Sequence, residues 1–112
     1  PQKKVLFIPD IDKWEKWGRS ITEEIKKVDL ALLDGTFYDG TELPGRDMRE
    51  VPHPFVEESL QLFSGLPSAE KKKIMFIHFN HTNLLLRNRS AEKDKVKSEG
   101  FGVAEEGMVI EL

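Results

Sequence analysis

The chain has 112 residues, 38% hydrophobic and 33% charged, the size and balance of one small globular domain rather than of a disordered or membrane chain. Seventeen Lys and Arg against twenty Asp and Glu leave a formal charge of -3, without the basic excess that neutralises a phosphate backbone, so a nucleic-acid partner is disfavoured. The absence of Cys excludes disulfides and thiolate metal ligands, and no apolar run approaches the roughly 20 residues of a membrane helix, so a cytoplasmic protein without a membrane partner is expected.

In chain order, Val5, Leu6, Phe7 and Ile8 form a β-favouring run closed by Pro9, which predicts a strand buried on both faces with Asp10 just past its end. Ser20, Ile21, Thr22 and Glu23 have capping-box spacing, in which hydroxyl and carboxylate satisfy the free N–H groups that open a helix, here reaching Lys27. A second buried strand over 29–33 ends at Asp34 and Gly35, where glycine allows a sharp exit. Residues 35–51 lack periodicity and carry Gly35, Gly40, Pro44 and Gly45, predicting a long loop at the carboxyl end of that strand.

Pro54 suits the first position of a helix, with His53 as its N-cap. Phe55, Val56, Ser59, Leu60 and Phe63 then share one side before Gly65 and Pro67 end it. Ile74, Met75, Phe76 and Ile77 make a third buried strand that delivers His78 to its end, followed by a polar turn of Asn80, His81, Thr82 and Asn83. Residues 90–99 read as an exposed helix stopped by Gly100, and 101–104 with 108–112 as a closing hairpin-like pair. Strands alternating with helices predict an α/β sheet in one domain spanning 1–112.

Chemistry in such sheets collects where strands end, because loops there vary while the sheet holds position. Asp10, Asp34 and His78 occupy three strand ends, and all three histidines of the chain, His53, His78 and His81, fall in these loops. Carboxylate and imidazole together suit zinc, iron or manganese. Each residue also has a plain structural role open to it: Asp34 in a turn, His53 as a cap, His78 as a satisfied polar group, Asn80, His81 and Asn83 in turn hydrogen bonds. Trp14 and Trp17 read as a packing anchor or a lid, and the basic runs Lys71 to Lys73 and 87–89 as solvated surface.

The constellation is more specific than its members. The segment Asp29 to Phe37 with its Asp34-Gly35-Thr36-Phe37, the Pro52-His53-Pro54 that opens a helix, His78 to Asn83, and the closing Gly100-Phe101 to Glu106-Gly107-Met108 resemble the C-terminal half of metallo-β-lactamase-fold proteins. The similarity is nearest to the pyrroloquinoline quinone biosynthesis protein B family and more distant from ribonuclease Z-like phosphodiesterases, and it runs from Lys3 to the end. It implies half of an αββα sandwich, with a mixed sheet covered by helices on one face. It implies metal ligands at Asp34 and His78, a catalytic proton donor at His53, and substrate contacts from Asn80, His81, Thr82 and Asn83. It also implies a divalent metal cofactor, zinc foremost and iron or manganese as alternatives, serving phosphoester-type hydrolysis or a step of pyrroloquinoline quinone biosynthesis on a small-molecule or peptide substrate.

The family's first-half motif His-x-His-x-Asp-His is absent, so the ligands here fall short of the three or four a catalytic zinc uses, and this segment alone is expected to be inactive. The start at Pro1 without Met fits an excised piece of a longer chain. A lone half would leave apolar sheet surface bare, so a missing N-terminal half, a second chain or a second copy in a homo-oligomer is expected to cover it. The competing reading is a noncatalytic binding or scaffold module with a degenerate metal site.

Overall fold

A computed structural model describes residues 2–87 and 90–112. Four strands, β1 (Val5–Ile8), β2 (Leu30–Asp34), β3 (Ile74–Ile77) and β4 (Gly102–Val103), form one sheet in the order β1-β2-β3-β4. The helices are α1 (Ile21–Lys26), α2 (Val56–Phe63), α3 (Ser68–Lys71) and α4 (Ala91–Ser98). All three strand pairings are parallel, with Phe7 beside Leu32, Leu33 beside Phe76, and Phe76 beside Val103.

The α/β architecture is the expected one, but the mixed sheet is not. An antiparallel closing pair requires 101–104 to turn back onto 108–112. Instead β4 leaves α4 and pairs with β3, Ala104 N–H donating to Phe76 O at 3.0 Å, while Met108, Val109, Ile110 and Leu112 stay exposed and form no strand. A helix between two adjacent strands returns the chain in the same direction, so each crossover here produces a parallel neighbour.

Local signals account for most helix boundaries. Ser20 caps α1 by accepting from Glu23 N, Ser90 caps α4 by accepting from Lys93 N at 3.0 Å, and Gly100 ends α4 at a φ of 101°. The first turn of α2 starts later than expected, with Phe55 rather than His53 at the N-cap. A residue ahead of proline resists the helical region, so His53 before Pro54 stays outside the helix, and the Glu58 carboxylate accepts from Phe55 N at 2.8 Å instead. The helix α3, which follows Pro67, is an element the sequence pattern did not signal. The helix at 90–99 is not fully exposed either, since Lys93 and Val96 face the core.

The strands alternate in burial. Ala31, Leu33, Ile74, Phe76 and Val103 join Ile21, Ile25, Val56, Leu60, Phe63 and Val96 in the core beneath the helices. The other face carries Val5, Phe7, Leu30, Leu32, Met75 and Ile77, with Phe7 64% exposed. The expectation of strands buried on both faces is therefore corrected: helices cover one face, and the apolar residues of the second remain accessible. Stepping by two from Leu30 and Leu32 places Asp34 on that accessible side, at its carboxyl rim. Of the basic runs, Lys71 packs over the Phe101 ring and Lys73 pairs with Glu70, whereas the 88–89 part of the second run lies outside the described residues.

Candidate functional site

Asp34 ends β2 fully buried. Its Oδ1 accepts from Thr36 N at 2.9 Å and from the Thr36 hydroxyl at 2.7 Å. Its Oδ2 accepts from Ile11 N at 3.1 Å and lies 2.8 Å from His53 Nδ1. A carboxylate offers about four lone-pair positions, and all are used. Because a carboxylate can only accept, His53 donates from Nδ1–H, which leaves Nε2 as the ring's free lone pair.

His53 is held from several sides. Phe37 packs edge-on against its ring at 5.8 Å, the prolines at 52 and 54 stiffen its backbone, and Asp10 Oδ1 stands 3.5 Å from the same Nδ1. Asp10, Asp34 and His53 thus place one ligand-capable atom each within 4.8 Å of one another, an oxygen and nitrogen set able to hold a cation. The sequence marks Asp10 as a strand-end carboxylate, and its place as a third donor follows only from the distances.

His78 follows β3 in the left-handed region, with a φ of 64°, a conformation a non-glycine residue adopts at a cost of roughly 1 kcal/mol or more. Its Nδ1 lies 3.2 Å from the Thr36 hydroxyl. That hydroxyl already donates to Asp34, so it accepts from His78 Nδ1–H, and Nε2 of His78 is left without a hydrogen bond among the described residues. Thr36 therefore links the two strand tips. In the sequence Thr36 stands inside the Asp34-Gly35-Thr36-Phe37 motif with nothing local to mark this role.

Two further features hold β2 and β3 tips together. A Cβ on Gly35 would come within 2.8 Å of Phe79 Cε1 and 2.9 Å of Ile77 O, so glycine is required there for space rather than for a turn. Asn83 is buried, donating from Nδ2 to Gly35 O at 2.6 Å and accepting at Oδ1 from Leu85 N at 2.9 Å. Its amide is spent on backbone, and it acts as a clasp between the two strand tips. Asn80 donates to Thr82 Oγ1, which donates in turn to Glu42, and His81 is exposed at the tip of the turn. Trp14 donates from Nε1 to Ser59 at 2.9 Å and stacks edgewise on Trp17, which gives it the anchoring role.

No protein-family model matches the chain. Coenzyme PQQ synthesis protein B of Methylobacillus flagellatus is 30% identical over 118 residues, covering 98% of this chain and 37% of that protein. The Pseudomonas savastanoi pv. phaseolicola protein of the same name is 29% identical over 97% of this chain, and the Klebsiella pneumoniae one 33% over 79%. The chain is homologous to a segment of coenzyme PQQ synthesis protein B. A crystal structure of Zn2+-bound PqqB from Methylobacterium extorquens superposes with a TM-score of 0.77 at 22% identity, covering 98% of this chain and 38% of that one. PqqB has the metallo-β-lactamase fold, and the matched region lies in its C-terminal half. The chain spans 37% of the length of the synthesis protein B it matches in M. flagellatus. No helix among the described residues is long and apolar enough to cross a membrane.

Proposed function

We propose that this chain supplies part of a divalent-metal site and its proton-handling group in a protein that acts in coenzyme PQQ synthesis, the remaining ligands coming from residues outside it. The observation that carries the reading is the convergence of Asp10, Asp34 and His53 within 4.8 Å at the carboxyl rim of a parallel sheet, with His78 tied to the same aspartate through Thr36. The Zn2+ in the structural relative supports a metal here, zinc first among the candidates and iron or manganese after it. The relatives' names favour a step of PQQ synthesis over phosphoester hydrolysis.

The donor chemistry fits such an ion. Tetrahedral zinc with bonds near 2.1 Å spaces its ligands by about 3.4 Å. His53 Nδ1 stands only 2.8 Å from Asp34 Oδ2, the spacing of a hydrogen bond and shorter than that between two ligands, so this nitrogen carries a proton rather than a metal. The family resemblance assigns Asp34 and the free Nε2 of His78 to the cation, Asp10 adds a third donor beside them, and His53 is left to move the proton. An ion bound at Asp34 would take the place of one of its four hydrogen-bond donors. When bound, a divalent ion polarises an oxygen and favours hydroxide near neutral pH. His53 takes up a proton at Nε2, and Asp34 and Asp10 stabilise the imidazolium that results. Asn80, His81 and Thr82 stand on the adjoining turn as the substrate-facing residues.

Placement of Asp34 at the rim of the accessible sheet face supports a partner layer that covers the face and meets the site at once. That layer is the rest of the longer protein, and a second copy is the alternative cover. The test is metal content of the full-length protein. Wild type is expected to hold zinc, iron or manganese, Asp34→Ala and His78→Ala to lose it, and His53→Ala to retain it while losing activity. Background metal in wild type, with the aspartate and histidine variants indistinguishable from it, rejects the reading.

The scaffold alternative has one observation in its favour: every lone-pair position of Asp34 is satisfied by hydrogen bonds, so the site is complete in itself as a structural joint. A natural gene without His-x-His-x-Asp-His upstream of Pro1 favours that alternative, and its presence favours the enzyme.

A further inference from the structure

A cleft of about 540 Å3 opens beside His78, between the end of β3, the 84–86 turn, α4 and the segment after β4. It lies outside the carboxyl ends of two neighbouring parallel strands, where the sheet leaves a natural crevice. One wall is apolar: Leu85 is buried, Phe79 half-buried, and Leu86 is 50% exposed at the edge. Another wall carries Lys93, only 6% exposed although it bears a charge. Its Nζ has three donors but one hydrogen-bond partner among the described residues, Glu105 Oε1 at 2.8 Å.

Such a buried ammonium requires a carboxylate, and the one it has belongs to an exposed turn. The Glu105 side chain is 51% exposed and also approaches Lys97 at 3.9 Å, so it keeps a cationic neighbour if it leaves Lys93. A cation sunk in the wall, a movable acidic partner and an adjacent apolar surface are the elements that recognise an anionic end on an apolar body.

We propose that this cleft binds a small molecule carrying a carboxylate on an apolar body, with Lys93 Nζ taking the carboxylate in place of Glu105 and Leu85, Leu86 and Phe79 contacting the body. The end away from Lys93 then lies beside His78. That orientation rests on the role proposed for His78, but the binding itself does not.

The experiment is calorimetric titration of the chelator-treated full-length protein with 3-phenylpropionate and with its uncharged amide, 3-phenylpropionamide. The acid is expected to bind about tenfold more tightly than the amide. Glu105→Gln, which frees Lys93, is expected to tighten the acid alone, and Lys93→Met to reduce the acid to the level of the amide. Equal affinity for the two probes, no saturable binding of the acid at millimolar concentration, or a preference that survives Lys93→Met overturns the proposal. Should Lys93→Met fail to fold, the surface variant Glu105→Gln decides, since an unchanged affinity there also overturns it. Because the metal is removed beforehand, failure here leaves the metal-site reading standing, and loss of that reading leaves this one standing.

Discussion

Asp34 and His53, nineteen positions apart, meet in a 2.8 Å hydrogen bond that joins the end of β2 to the entrance of α2. The bond orients the imidazole, and it is one of four that hold the buried carboxylate. Asp34→Ala removes the acceptor for all four donors. Leaving such groups unpaired costs roughly 1–3 kcal/mol each when none finds water. A loss of about 2–4 kcal/mol in urea unfolding is expected, partial hydration offsetting the rest. A variant as stable as wild type would show that the carboxylate does not organise this rim.

Thr36→Val keeps the shape and deletes the hydroxyl between Asp34 and His78. The expected stability loss is about 1 kcal/mol. The sharper readout is nitrogen NMR of His78: the Nδ1–H form should dominate in wild type and yield to the Nε2–H form in the variant. An unchanged tautomer would mean that the threonine does not set it.

Gly35→Ala places a methyl against the Ile77 carbonyl and the Phe79 ring at under 3 Å. The carbonyl belongs to β3 and also accepts from Gly35 N at 2.7 Å, so it cannot yield cheaply. A destabilisation of about 1–3 kcal/mol is expected, read as a fall in the thermal midpoint. Gly45→Ala, where nothing lies within 4 Å, is the control for added bulk, its own cost coming from a φ of 81°.

The Lys93 ammonium, by its hydrogen bond and then its charge, holds the Glu105 carboxyl below the usual carboxylate range, Lys97 adding a smaller pull. A depressed folded-state value means stability that is present above the ordinary value of 4.5 and is lost as pH falls through the lowered one. Wild type should therefore exceed Glu105→Gln in urea midpoint at neutral pH, and the two should converge in acid. A gap that persists at low pH would place the stabilisation elsewhere.

Much of the fold was legible because its signals are local. The capping serines, the glycine after α4 and the apolar side of α2 each act within one turn of helix. What failed was non-local. A four-residue apolar run such as Val5 to Ile8 reads the same whether one face or both are covered, because the cover comes from elsewhere in the chain or from outside it. The direction of the last strand failed for a related reason: Gly102 and Val103 carry no mark of which neighbour they join.

The site divides similarly. Asp34, His53 and His78 are marked by residue type at strand ends and a helix entrance. Thr36 as a link, Asn83 as a clasp and Asp10 as a third donor depend on distances between segments far apart in sequence. Asn83 is the clearest case: a polar residue in a polar turn is expected to face solvent, and here the turn folds it inward onto Gly35 O.

The two sides of the strands also bear on handling this polypeptide in isolation. Val5, Phe7, Leu30 and Leu32 form a row of greasy side chains next to a carboxylate already locked in hydrogen bonds, so the chain alone should be sticky without being misfolded. Precipitation on expression would then report an exposed seam rather than a failed fold. A co-expressed partner that covers this face should keep the chain in solution where refolding additives do not.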